Sequence, residues 1–530
     1  VAAGVLVAAM VAGCSAGASS SAGTAAAPGG RVLLVGTLAG HAGAYRSIQA
    51  AVDAARAGDW VLVAPGDYHE HADETKAPGH AAQGGFGGVL VTTGGIHIRG
   101  MDRSGVIVDG TRSGGAPCSP APSQQDFGPP GPGGKAEGRN GIVVWKADDV
   151  SIENLTVCNF LAGTGASGNE VWWNGGDGSG RIGLHGYTGR YLTATSTYYG
   201  GEATAAQYGI FASNSAGPAG WDQLYASNFN DSGMYVGACR QQCDITIDHA
   251  WMEYSALGYS GTNSGGAIVV ENSEFDNNKD GFDTNTQIDG DPPAPQDGTC
   301  PHGGTSPITH THSCFVVMHD SFHDNNNPDV PQAGSASAGP TGTGMTISGG
   351  NDDTVMDNTF SHNGAWGALF VPYPDSNPPV LGQTCAGAGG FELSGFGCVF
   401  DPAGDALLDN TFSHNGFFGN PSNADFGQIV IQAGRPRNCF AGNIAPAGSV
   451  PTGLQQSQPT CGGAPGTSDA GGALLGQVLC DTGFGPCPAG SVYPALGVIV
   501  MHPLPRTLPT MANPCAGVPR NAWCPGGRPV

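Results

Sequence analysis

Ile247-Asp248-His249-Ala250-Trp251-Met252-Glu253-Tyr254-Ser255 is followed, 23 residues on, by Val270-Glu271-Asn272-Ser273-Glu274-Phe275-Asp276-Asn277-Asn278. The two stretches share a frame: an aliphatic residue, a bulky apolar residue five places later, and a small polar residue three places after that. Leu224, Phe229 and Ser232 fit the frame one period earlier. It returns, after longer gaps, at Val317, Val355 and Leu407. There Phe322, Phe360 and Phe412 take the bulky place, and Asn325, Asn363 and Asn415 the polar one.

A repeat of this length is one coil of a solenoid of strands. Coils stack about 4.8 Å apart, so equivalent residues lie directly on one another. The frame therefore predicts an internal aromatic column and a ladder of Asn and Ser side chains at a turn. A lone coil recovers little of its ordering cost, about 1.5 kcal/mol per residue, and stacking supplies the rest. A leucine-rich repeat of similar period would demand a recurrent Leu consensus, which this chain lacks. Val89–Val91, Ile96–Ile98 and Val106–Val108, then Ile142–Val144, Val150–Ile152 and Leu155–Val157, read as earlier coils.

The entrance reads differently. In Tyr45–Arg56, residues Ile48, Ala51, Val52 and Ala55 fall on one helical face. Gly58 stops the helix, Trp60–Val63 reads as a strand, and Pro65-Gly66 turns. Ser47-Ile48-Gln49-Ala50-Ala51-Val52 through Ala64-Pro65-Gly66-Asp67-Tyr68 resembles the opening of pectin-lyase-like β-helix proteins. With the coils, the resemblance covers roughly residues 31–445. It implies an all-β, right-handed parallel β-helix, a single-stranded solenoid with an N-terminal capping helix. Tyr259-Ser260-Gly261-Thr262-Asn263 and Val371-Pro372-Tyr373-Pro374-Asp375 further resemble secreted actinobacterial β-helix proteins of no known activity. Residues 446–530 lose the repeat, gain Pro and Cys, and are expected to form a disulfide-rich C-terminal cap over the last open coil.

Composition agrees with many short strands joined by tight turns. Gly accounts for 90 of 530 residues, and only 12% are charged. The net charge is −24, with four lysines in the chain, so phosphate neutralisation is excluded as a binding mode and no nucleic-acid partner is expected. Val1–Gly13 is an apolar and small run of signal-peptide character, and Val11-Ala12-Gly13-Cys14 resembles a bacterial lipobox. Residues 1–30 are thus expected to be a lipoprotein signal remnant and tether, with Cys14 lipidated and the protein extracytoplasmic. There are 15 Cys. Setting Cys14 aside leaves an even number, enough for seven disulfides in an oxidising compartment. Near neighbours in sequence suggest Cys239–Cys243, Cys300–Cys314, Cys385–Cys398, Cys480–Cys487 and Cys515–Cys524.

Three features carry candidate chemistry. The densest acidic stretch runs from Asp276 to Asp283, with Asp289 and Asp291 beyond. Asn278-Lys279-Asp280-Gly281-Phe282-Asp283 resembles a calcium-holding segment of pectate lyases that use a lysine base. That resemblance implies Asp276, Asp280 and Asp283 as Ca²⁺ ligands, with Lys279 and Asp280 as catalytic residues. The departure is that Lys279 stands at a ligand position. The segment also resembles a polygalacturonase motif, but no second Asp pair follows in register, and glycoside hydrolysis needs two placed carboxylates. The Asp-Phe-Ile-Phe-Gly segment of pectinesterases is missing from this chain.

Second, His310 and His312 alternate, His319 and His323 follow, and His302 adjoins, a set able to hold a transition metal. His362 and His414 share a repeat position and are expected to stack. Third, aromatic residues cluster, and Trp172, Trp173, Trp221, Trp251, Tyr254 and Tyr259 are candidate sugar platforms. The chain thus reads as a β-helix binding a polysaccharide or cell-envelope glycan, with lyase or glycosidase-like chemistry as the enzymatic form. A noncatalytic adhesion or envelope-structural protein is the alternative.

Overall fold

In the computed structural model, which describes residues 30–177, 181–239, 241–286, 298–375, 384–461 and 472–527, three parallel stacks of strands, called the first, second and third sheets, run along the repeat, the first two joined through the long strands Val150–Cys158 and Leu184–Thr195. Each coil contributes one strand to each sheet. In the central coils the first sheet takes Ile245–Asp248, Ile268–Glu271, Phe315–Met318 and Asp353–Met356. The second takes Trp251–Glu253, Glu274–Asp276, Ser321–His323 and Thr359–Ser361. The third takes Leu257–Thr262, Asp280–Asn285, Thr343–Ser348 and Trp366–Val371. Register is strict: Ile247 pairs Val270, Val270 pairs Val317, and Val317 pairs Val355. The fold is a right-handed parallel β-helix, the hand that crossovers between parallel strands take in nearly all proteins.

Corners are made by single residues in the left-handed region. His249, Asn272, His319, Asp357 and Asp409 turn the chain from the first sheet to the second, at φ between 52° and 60°. Tyr254, Asn277, Asp324, His362 and His414 turn it from the second to the third. Asn, Asp and His tolerate this region better than most residues.

Inside, the aromatic column forms as the frame predicts. Phe275, Phe322, Phe360 and Phe412 stack at centroid spacings of 5.0, 4.8 and 4.8 Å. Beside it runs the polar ladder. The Ser255, Asn278, Asn325 and Asn363 amides donate in turn to the side-chain oxygens of Asn278, Asn325, Asn363 and Asn415, at 2.9–3.2 Å. Asn325 and Asn363 also donate from Nδ2 to the carbonyls of Phe275 and Phe322. A second ladder, Ser273–Asp320–Asn358–Asn410–Asn443, fills the other corner.

One coil departs from the predicted frame. Trp221, not Leu224, pairs with Ile247, and Ala226, not Phe229, pairs with Met252. Ser232 lies in the third sheet opposite Leu257. Three extra residues sit in that coil. Phe229 stays buried at the corner, donating its amide to Ser255 Oγ, which preserves an apolar pattern at the wrong register.

The ends are closed as expected. The helix Ile48–Ala54 is capped by Ser47 and Glu70, and Ile48, Ala51 and Val52 face the core. At the far end Cys439–Ala441 and Ser449–Val450 complete the last coil, and Leu454–Ser457 covers it, with Phe440 donating its amide to the Gln458 carbonyl. All five suggested disulfides are present, joined by Cys118–Cys158 and Cys439–Cys461, which makes seven. Such a set suits an oxidising compartment.

The C-terminal region is more than a cap. The helix Gly472–Asp481 seats Leu474 in an apolar patch with Trp366 and Leu369 on the third sheet. From there an extended strap returns to the first coil. Gly497 binds Asp329, His502 exchanges two hydrogen bonds with Asn228, and Pro509 accepts from Arg103. Met511 then binds Asn154, Arg99 binds the carbonyls of Pro514 and Ala516, and Trp523 donates to the His41 carbonyl. No helix among the described residues is long and apolar enough to cross a membrane. Cys14, Asp289 and Asp291 lie outside the described residues.

Candidate functional site

The predicted calcium triad does not assemble. Asp276 belongs to the second sheet, while Asp280 and Asp283 belong to the third. Asp283 accepts from the hydroxyls of Thr346 and Ser348 and from Asn285 Nδ2, and Asp280 also accepts from Thr346. Asp280 is fully buried beside the turn Gly334–Ala338. Burial pushes both carboxyls up from the usual range. Gly281 has a packing reason: it stands in a column with Gly258 and Gly344, where a Cβ would meet the Asn ladder or a Phe ring. The likeness of this segment to a calcium loop is thus the signature of a strand start.

Lys279 is likewise no exposed base. It is buried, donates to the Ser337 carbonyl, and lies near the Asp481 carboxyl at the end of the C-terminal helix. Desolvation lowers its pKa and pushes that of Asp481 up to about 8.

The aromatic candidates divide. Trp173, Trp221 and Tyr259 are core residues: Trp173 lies 5.7 Å from Trp221, and Tyr259 stacks on Phe282 at 4.2 Å. Trp172 projects outward from the third sheet but is buried against Phe211 at 5.0 Å. Trp251 and Tyr254 are half-buried at the surface. Core rows and outward rows carry similar residues, so aromatic density alone did not separate them.

Around Trp251 the second sheet gathers aromatic and titratable side chains on one face. Its outward rows are Tyr225, Trp251, Glu274, Ser321 and Thr359, and beside them Ser227, Glu253, Asp276, His323 and Ser361. Glu253 and Asp276 are opposite one another on adjacent coils. Tyr225 donates its hydroxyl to Glu253 at 2.6 Å, and Trp251 donates its indole N–H to Asp276 at 2.7 Å. Desolvation raises Glu253 to about 7 and Asp276 to about 6, against the opposing effect of those hydrogen bonds. His323 bonds Glu274 at 3.0 Å and Asp324 at 2.9 Å, and chiefly the Glu274 bond lifts it to about 9, so it is an imidazolium at neutral pH. Two protonatable carboxyls and a fixed cation share one face. Glu253 and Glu274 escaped the sequence reading because only the register brings them to Asp276; their one signal was the shared repeat position of Glu253 and Asp276.

Ligand atoms of Glu274, Asp276 and His323 lie within 4.8 Å of one another, as do those of Asp222, Asp248 and His249 on the first sheet. A mixed carboxylate–imidazole set suits zinc or manganese better than calcium, whose ligands are oxygens. The other predicted histidines do not join it. His319 is a corner residue, and His302, His310 and His312 lie in an exposed turn region rather than along a strand. His362 and His414 stack at 5.0 Å.

No family model and no curated protein matches the chain. Among solved structures it is similar to the A-module of the mannuronan C-5 epimerase AlgE4 from Azotobacter vinelandii, at 14% identity over 75% of this chain and 90% of that one, with a TM-score of 0.42. An alginate lyase from a Paenibacillus strain is similar at 13% identity over 80% and 96%, with a TM-score of 0.34. Pectate lyase Pel9A is similar at 12% identity over 80% of each chain, with a TM-score of 0.35. Likenesses this distant carry no argument about chemistry. What the strand register establishes is the architecture: the chain is a right-handed parallel β-helix.

Proposed function

We propose that the chain binds a polysaccharide along its second sheet, and that Glu253 and Asp276 act on it as a glycosidase-like acid and base. The carrying observation is the in-register pair of carboxyls held near neutrality beside a half-exposed indole. With Glu253 raised to about 7 and Asp276 to about 6, the pair passes between these values through the state with Glu253 protonated and Asp276 ionised, the state that acid–base cleavage requires. Trp251 offers a ring face for a sugar, and Ser321, Thr359 and Ser361 continue the surface with hydroxyls.

A neutral glycan fits this surface better than a polyuronate. Glu274, Asp276 and Asp324 surround a single imidazolium on a chain of net charge −24. A calcium-dependent lyase would need a bridging ion, and the predicted triad does not supply its ligands. The seven disulfides support an extracytoplasmic setting, and a lipid anchor at Cys14 would hold the protein at the membrane.

The test is incubation with a panel of neutral and uronic polysaccharides, following new reducing ends and unsaturated ends separately. We expect reducing ends from a neutral glycan, lost in Glu253→Gln and Asp276→Asn. Absence of binding to every polymer, or unchanged activity in both variants, would overturn it. The noncatalytic adhesion or envelope reading is favoured by one observation: Glu253 and Asp276 are only 4% and 5% exposed. Glycan binding without any product would select it.

A further inference from the structure

We propose that the glycan site, taken as read above, recognises a chain end rather than a chain interior, because the C-terminal strap walls off one end of the second sheet.

The strap crosses this sheet obliquely. It enters at His502, whose ring stacks on Tyr254 at 3.7 Å and 4° and whose backbone exchanges hydrogen bonds with Asn228. Both residues stand at the corner between the second and third sheets. It leaves at Pro509 and Met511, over Arg103 and Asn154, near the corner between the first and second sheets. Arg103 is itself buried and binds Thr193 and the Leu192 carbonyl, so that anchor is rooted in the sheet.

Between these anchors the outward residues of the second sheet are closed to solvent. Thr193, Tyr225 and Ser227 have at most 1% exposure, although their neighbours Ala194 and Ala226 are the residues that face the core. Past Trp251 the same rows open. Glu274, Thr359 and Thr411 are exposed, and Ser321, His323 and Ser361 are half-buried. Exposure thus changes within one coil, at the carboxyl pair. A polysaccharide lying along the stacking direction over the open rows meets the strap beside Glu253, and a chain threading past in both directions would have to displace it.

The strap is anchored at both sides of the crossing by backbone and side-chain hydrogen bonds and ends in an apolar anchor. Val518 and Trp523 pack with Leu62 and Ala64, and Cys515–Cys524 ties the terminal loop. Displacement is therefore costly, and the wall is a fixed element of the site. The substrate class this selects is the terminal segment of a linear glycan.

Competition on the intact protein decides the matter, using one neutral glycan that binds, in a series of chain lengths at equal mass. A chain-end reader responds to the number of ends, so a hexasaccharide outcompetes a polymer twenty times its length by about twentyfold per gram. An interior reader responds to mass and shows no such gain. His502→Ala, which removes the stack on Tyr254, should weaken the dependence on chain length. Equal potency per gram across the series in the wild-type protein overturns chain-end recognition while leaving the glycan site standing. Failure of every glycan in the panel to bind overturns both.

Discussion

The hydroxyl of Tyr225 donates to Oε1 of Glu253 at 2.6 Å, across two adjacent coils of the second sheet. Burial makes the carboxyl prefer its proton, and the phenol opposes that by stabilising the ionised form; desolvation is the larger effect. Glu253 therefore titrates at about 7, and Asp276 beside it at about 6.

Activity on a glycan should follow a bell in pH. It rises as Asp276 ionises through about 6 and falls as Glu253 deprotonates through about 7. Tyr225→Phe removes a bond that favours the ionised Glu253, so the alkaline limb should move to higher pH. Glu253→Gln should lower the rate by roughly 10²–10⁴. Rates from pH 4 to 9 for the three proteins check this; an alkaline limb that stays in place in Tyr225→Phe would refute the assignment.

Asp320 occupies a ladder position that Asn358, Asn410 and Asn443 fill in the following coils. Its Oδ1 accepts from Ser273 at 2.6 Å, while Oδ2 has no partner among the described residues. Burial raises its pKa well above the usual carboxyl value. A raised folded pKa gives stability that is complete below the unfolded value, about 3.9, and is lost as pH rises through the folded value. Asp320→Asn should thus stabilise the protein by about 1–2 kcal/mol at neutral pH. Denaturation at pH 5 and pH 8 should show the gap between variant and wild type widening with pH.

Asn363 bonds Asn325 above, Asn415 below and the Phe322 carbonyl. Asn363→Ala leaves buried backbone groups without partners and should cost about 2–3 kcal/mol. Ser361→Ala, at a half-buried outward position two residues away, should cost under about 0.5 kcal/mol. Comparable melting temperatures for the two variants would refute the ladder's energetic role.

Lys279 is buried just before the third-sheet strand Asp280–Asn285 and donates its ammonium to the Ser337 carbonyl. Lys279→Ala removes that bond and leaves the Ser337 carbonyl without its partner, so it should destabilise by about 1–3 kcal/mol. Activity per folded molecule should stay at the wild-type level, whereas a lysine-base lyase would lose it.

Calcium should not support the fold or the site. The oxygens of Asp280 and Asp283 are engaged by Thr346, Ser348 and Asn285. Melting temperature and glycan affinity should be the same in millimolar calcium and in EDTA. An EDTA-sensitive affinity would point back to a bridging ion.

The solenoid, its Phe column, its Asn ladder, the capping helix and five of the disulfide pairs were all legible in the chain. Stacking places equivalent residues on themselves, so a fold of this kind writes its register as a sequence period. Asp280-Gly281-Phe282-Asp283 misled because a glycine needed for packing against the ladder mimics one needed for a ligand loop. The coil around Leu224 misled because Phe229 satisfies the apolar pattern three residues out of step. Only the tertiary structure decided which rows face outward, and hence that Glu253, Asp276 and His323 meet while Trp173, Trp221 and Tyr259 are interior. Only it carried residues 497–523 back across the second sheet, because those contacts join segments hundreds of residues apart and leave no period in the sequence.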